Sequence, residues 1–274
     1  NDDFKIYWNN FPIAKLSVGN DYLNPSFELI IDDTIDQNPK QKLIDFISKW
    51  IQTKINTILK SLIDLKNLKE KNSSIKALAY QLYENNGVLK REQVSEYLKS
   101  LGQNERKILR ELGVKFGRYH VFLYQLIKPE AVSLRTLLWK NFHQKYHKLK
   151  PPTFGLNFLD DQESRNRNFM LLCGFEKFEN LFVRIDILER LFMQIINSNS
   201  KENKEIKMVP EMLNLLGCSK DNFKKLLKKM GYKIFDKEEE TFFKYSPIKQ
   251  FKKNPVKKVS SENPFKVLKN LNLG

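Results

Sequence analysis

Five lysines, Lys220, Lys224, Lys225, Lys228 and Lys229, crowd into the run KDNFKKLLKK, with Asp221 the one acid among them. At that density ammonium groups suit electrostatic contact with nucleic-acid phosphates. Helical spacing puts Phe223, Leu226, Leu227 and Met230 on one side of the run and the lysines around the rest. Asp221 falls in the first turn, where the helix dipole favours an acid. The plainer alternative is a solvated lysine face with no partner. A second basic group surrounds FGRYH, where Arg110, Lys115, Arg118 and His120 interleave with Tyr119 and Phe122. Basic and aromatic residues on a glycine-containing turn suit RNA, by phosphate contact and base stacking. Against this, aromatics are more often core, and Arg118 could simply cap a helix. A third group is the tail from Ser246, which carries seven lysines, among them Lys252, Lys253, Lys257 and Lys258, against Glu262.

Other constellations are weaker. His143 and His147 stand four apart, as zinc pairs can, but no third ligand or intervening general base accompanies them. Asp32–Asp33 and Asp160–Asp161 are neighbours on loops, and adjacent carboxylates point apart instead of flanking a bond. No GxxxxGK[ST] phosphate loop occurs, and the chain has only three histidines. No catalytic residue, metal site or cofactor site is therefore expected within this chain.

The elements that must hold these residues can be read from periodicity and punctuation. FKIYW and FPIAKLSV, split by Asn9-Asn10, form a hairpin signal, and FELII adds a third strand. Asn38 and Pro39 open a long helix to about Lys71, with an apolar stripe through Leu43, Ile47, Trp50, Ile51, Ile55, Ile58, Leu62 and Leu65. Further helices are expected from Ser73 to Gly87, in two pieces over 90–112 broken near Gly102, and from Pro129 to about His147. That last helix would turn Leu134, Leu137, Leu138 and Phe142 inward. LKPPTFGLNF reads as a boundary. A helix at 163–173, a hairpin at 175–185 and a helix at 186–197 follow. Then come a short helix from Pro210 to Gly217, the lysine helix from Ser219 to Gly231, and strands YKIF and TFFKY. The order helix, short helix, turn, helix, hairpin is that of a winged helix-turn-helix. The expected fold class is mainly α with small β-hairpins, α+β. A hairpin-plus-helical domain spans 1–148, a linker 149–162, a winged-helix-like domain 163–245 and a flexible basic tail 246–274.

Composition limits the partners. The chain of 274 residues is 41% hydrophobic with 20 phenylalanines, enough apolar material for a packed core. No stretch approaches the roughly 18 apolar residues of a membrane span, so no membrane partner is expected. Two cysteines, Cys173 and Cys218, lie far apart without a disulfide framework, which suits a reducing, cytoplasmic setting. A net charge of +16 favours polyanions. Lysine, asparagine and isoleucine share AT-rich codons, so clustering of charge carries more weight than its total. By the same logic each of the few arginines carries weight for its planar fork. The chain starts at Asn1, which reads as a fragment or a processed product.

The runs FPIAKLSVGNDYLNPSFELIIDD, LAYQLYENNGVLKREQV, LGVKFGRYHVFLYQLIKPEAVSLRTLLW, PPTFGL, VRIDILERL and PEMLNLLGCSKDNFKKLLKKMGY resemble the C-terminal region of alphaproteobacterial ATP-dependent RNA helicases of the mitochondrial-degradosome type. The lysine-rich tail before NPFKVL is also similar, so the resemblance spans nearly the whole chain. It implies a superfamily-two DExH helicase with two RecA-like motor domains upstream, which would hold ATP and magnesium. This chain would then be an accessory RNA-binding region that grips the strand by backbone electrostatics. The lysine and asparagine enrichment departs from the alanine- and arginine-rich relatives. Two other readings stand: a scaffold docking the helicase on a nuclease or ribosome, and a winged-helix DNA-binding regulator.

Overall fold

The computed structural model describes residues 3–30, 37–69, 73–160, 165–198, 205–237 and 239–246. Among them the chain is α+β, with helices set against four small antiparallel sheets of three strands each. No helix of the described residues is long and apolar enough to cross a membrane.

The first sheet has the order β1 (Lys5–Trp8), β2 (Phe11–Asp21), β3 (Asn24–Leu29). Asn9 and Asn10 join the first pair with φ of 46° and 69°, the left-handed pair that a two-residue hairpin turn requires. Helix α1 (Gln37–Ile58) buries only the narrow seam Ile47, Ile51 and Ile55. Trp50, expected on the inward stripe, lies one position off that line and is 45% exposed. The expected single helix to Lys71 instead breaks at Leu59, with φ −102° and ψ 21°. The break re-aims α2 (Lys60–Lys66), so that Leu59, Leu62 and Leu65 all reach the core.

From Ser73 onward a related arrangement recurs three times, with two helices between lone strand and hairpin in the first and third units and one in the second. The first unit runs α3 (Ser73–Glu84), β4 (Val88–Lys90), α4 (Ser95–Ser100), α5 (Gln103–Glu111), β5 (Val114–Phe116) and β6 (His120–Leu123). The second runs α6 (Pro129–Phe142), β7 (Phe158–Asp160), α7 (Arg167–Leu172), β8 (Phe175–Phe178) and β9 (Leu181–Arg184). The third runs α8 (Ile185–Asn197), β10 (Ile206–Lys207), α9 (Pro210–Leu216), α10 (Lys220–Lys229), β11 (Tyr232–Lys237) and β12 (Glu240–Tyr245). In each sheet the lone strand pairs with the second hairpin strand, giving orders β4-β6-β5, β7-β9-β8 and β10-β12-β11.

The turn from helix into hairpin is chemically the same in all three. Gly113, Gly174 and Gly231 sit two residues beyond the helix, at φ of 90°, 86° and 87°. Their N–H groups donate to the carbonyls of Arg110, Leu171 and Lys228. This left-handed close satisfies helix-end carbonyls and reverses the chain, and glycine adopts it without a Cβ penalty.

Helix α6 ends at Phe142, not near His147, because His143 leaves helical geometry at φ −98° and ψ 73°. It is buried nearly all round. Leu138 belongs to the core of the N-terminal half, while Val132 and Trp139 pack with Phe169, Met170 and Phe182. Leu134, Leu137 and Phe142, expected inward, are only half-buried. The inward position that periodicity did not suggest is Arg135, fully buried with its guanidinium donating to the carbonyls of Asn86, Leu126 and Leu172 at 2.6–2.8 Å. Burial pushes its pKa down to about 10, so it stays charged at neutral pH. One side chain thus ties α3, the turn after β6 and α7 together. The segment expected as a linker contains β7, which completes the second sheet. The tail beyond Ser246 lies outside the described residues.

Candidate nucleic-acid interface

The FGRYH turn is held from behind by a carboxylate. Glu189 on α8 accepts from the backbone N–H groups of Arg118, Tyr119 and His120 in succession. A Cβ at 117 would stand 2.3 Å from the Glu189 carboxyl carbon, so a side chain there would push the carboxylate off the turn. Arg91 adds a hydrogen bond to the Gly117 carbonyl at 2.8 Å.

Beneath the turn, His120 is buried with Nε2 2.8 Å from Glu176 Oε2 on β8 and Nδ1 3.6 Å from Glu189 Oε1. Lys90 and Arg167 approach the other Glu176 oxygen at 3.4 and 3.3 Å. Burial alone would push the His120 pKa down, but the Glu176 hydrogen bond and the two carboxylates hold it above 6.5. Burial would raise Glu176, yet its hydrogen bond to His120 and the charges of His120, Lys90 and Arg167 hold it at about 2. The raised His120 pKa stabilises the fold fully below about pH 6.5 and is lost as pH rises through the folded value. The depressed Glu176 pKa stabilises above about pH 4.3 and is lost as pH falls towards 2. Both contributions are complete between those limits. Urea unfolding midpoints should therefore fall as pH is raised from 6 to 9, and the His120→Gln variant should lack that component. Parallel pH profiles for the two proteins would show that the buried trio does not titrate as described.

In front of the turn lies a groove of about 540 Å³. One face of α8 contributes Asp186, Glu189, Arg190 and Met193, at i, i+3, i+4 and i+7, while Leu188, Leu191 and Ile195 pack the opposite face into the core. The hairpin side contributes Lys115, Phe116 and Arg118. Both acids are committed, Asp186 to Arg184 and Glu189 to the backbone of the turn. Among the described residues Lys115, Arg118 and Arg190 make no ion pair. The rings are divided in role. Phe122 and His120 are core, as the plainer reading had it, whereas Tyr119 is half-buried with its edge on Phe192. Arg118 caps no helix. It is exposed, with its guanidinium 5.6 Å above the Phe192 ring. Phe192 was missed from sequence because helical spacing alone does not show which hairpin a helix faces.

The lysine helix is as anticipated in its apolar face, with Phe223, Leu226, Leu227 and Met230 buried. Ser219 caps it by accepting from Asn222 N–H. Its lysines differ among themselves. Lys220, Lys225, Lys228 and Lys229 are exposed and Lys224 is half-buried. Lys224 lies 3.7 Å from Asp236, Lys229 pairs with Glu179, and Lys225 touches Asn222 Oδ1 at 3.5 Å. Such exposed pairs are weak and exchangeable, but they leave only part of the helix uncommitted. Lys252, Lys253, Lys257 and Lys258 lie outside the described residues.

The histidine pair is engaged in packing: His143 rests on Trp139 and His147 on Phe4. Among the described residues no three of His, Cys, Asp or Glu gather as a metal site would require. Asp160 accepts from the Asn222 side chain at 3.1 Å, and Asp32, Asp33 and Asp161 lie outside the described residues. No protein-family model, curated protein or solved structure matches this chain.

Proposed function

We infer that the chain is an accessory nucleic-acid-binding region of tandem winged helices, acting beside an ATP-driven RNA helicase motor that holds ATP and magnesium. In this reading α9 and α10 are the helix-turn-helix of the third unit, and the hairpin β11–β12 is its wing. The order helix, lone strand, two helices, hairpin supports it in the first and third units, and the lone strand beside the second hairpin strand supports it in all three. The motor and its partners rest on the resemblance to degradosome-type helicases. The observation that carries the binding role is the groove at the FGRYH turn. Its three exposed cations have no counter-charge among the described residues, although carboxylates lie beside them and are spent elsewhere. Cations held this way attract phosphates and release counterions on binding.

The lysine helix supplies a second contact. Changing Lys224, Lys225, Lys228 and Lys229 to Gln should weaken RNA binding severalfold in fluorescence anisotropy, with the fold retained. The loss is limited because two of these lysines already have acidic protein partners. Removal of 246–274 should add to it. Unchanged affinity in both variants would favour a protein-docking scaffold. A specific feature supports that second reading: Tyr7, Trp8, Phe11, Phe46 and Trp50 are all exposed on β1, β2 and α1, with Trp8 edge-on to Phe46 at 5.7 Å, and exposed apolar patches mark interaction sites when they are contiguous.

A further inference from the structure

Two arginines stand over phenylalanine rings that line the groove. Arg118 lies 5.6 Å over Phe192 on α8, and Arg110 lies 5.7 Å over Phe116 on β5. Both arginines are exposed, and among the described residues neither makes an ion pair. A guanidinium above a ring is drawn to the negative face of the ring and held near it before any ligand arrives, while its exposed side stays accessible. Phe116 and Phe192 both line the groove. The backbone beneath Arg118 is rigid, since Glu189 takes three successive N–H groups there and Arg91 takes the Gly117 carbonyl. Tyr119 braces the Phe192 ring edge-on at 5.4 Å.

Resting on the reading of the groove as a nucleic-acid contact, we propose that it is a site for unpaired nucleotides of a single strand, with a base stacked on the open face of Arg118. A bare phosphate site would need charge alone, and lysines would serve it as well. Planar guanidiniums backed by rings add a flat surface, which an unstacked base can use and a base inside a duplex cannot. Lys115 and Arg190, on opposite walls, then meet the phosphates either side of the stacked base, and the Arg118 charge, which Arg118→Lys retains, meets a third. The order of contacts gives selection for single strands without base readout, because every base offers a flat face.

The test separates stacking from charge. Arg118→Lys keeps the charge and loses the plane, and Phe192→Leu keeps apolar volume and loses the ring beneath it. Affinities of the full chain for a single-stranded RNA and for its duplex are measured by anisotropy at one salt concentration. A strand carrying 2-aminopurine reports stacking by quenching. Each variant should lose about tenfold in single-strand affinity together with the quenching, with duplex affinity and salt slope unchanged. Thermal unfolding checks that each remains folded. Equal loss on single strand and duplex, or no loss on either, would overturn the stacking site while leaving the nucleic-acid reading intact. If the unaltered chain binds neither RNA in a salt-dependent way, the underlying reading fails instead.

Discussion

Replacing Arg135 with methionine is expected to lower the unfolding free energy by about 3 kcal/mol or more, read as a shift of the urea midpoint at unchanged slope. Swapping buried ions for apolar groups is often harmless, because the whole ion pair is removed at once. Here the partners are three backbone carbonyls, of Asn86, Leu126 and Leu172, and no substitution removes them. They lie near element ends, where helical donors have run out. Methionine would fill most of the volume and leave the buried Leu126 and Leu172 carbonyls without a donor, at about 1–3 kcal/mol apiece, while the half-buried Asn86 carbonyl loses its bond. Lysine should recover only part of the loss, since one ammonium cannot span acceptors on three separate segments in the way a planar fork does. A methionine variant within about 0.5 kcal/mol of the parent, a shift typical of neutral surface changes, would mean that these carbonyls find water or another donor, and that Arg135 does not join the units.

The third unit was the most legible in sequence, and the reason is visible in its punctuation. Pro210, Gly217, Ser219 and Gly231 each mark a boundary, and the structure puts an element edge at every one of them. The second unit was not legible as a copy of the same plan. Its lone strand β7 has three residues and α7 has six, too short for either period to declare itself. The lone strands β4, of three residues, and β10, of two, are no longer. A shared signal did exist: an apolar residue, then glycine, then a buried Val, Phe or Tyr, at 112–114, 173–175 and 230–232. Its spacing repeats because the helix-to-hairpin turn repeats. Periodicity also misjudged α6. A helix with both faces buried shows no polar side, and Arg135 looked like a surface residue because charge usually signals exposure. For the interface, the lysine helix was legible, since its face lies on one element. The groove was half legible. Arg118 and its turn stood out, but Arg190 and Phe192 come from a helix some seventy positions later, and only tertiary packing brings them there.

The second large effect concerns that groove. Changing Lys115, Arg118 and Arg190 together to Gln should weaken binding of single-stranded RNA about a hundredfold at 0.1 M salt. Each neutralised phosphate contributes roughly 0.7 to the slope of log affinity against log salt. Three lost contacts should therefore flatten the slope by about 2. The loss should exceed that of the four-lysine change on α10, since these three cations have no protein counter-charge among the described residues to return to. All three side chains are exposed, so stability should stay within about 0.5 kcal/mol of the parent.

The most direct measurement is the salt titration of RNA affinity for the unaltered chain beside this triple variant. The account predicts a steep linear decline of log affinity with log salt for the parent, and a line about 2 units shallower for the variant. Superimposed lines, or an affinity that salt does not change, would contradict the claim that this chain grips nucleic acid through the groove at the FGRYH turn.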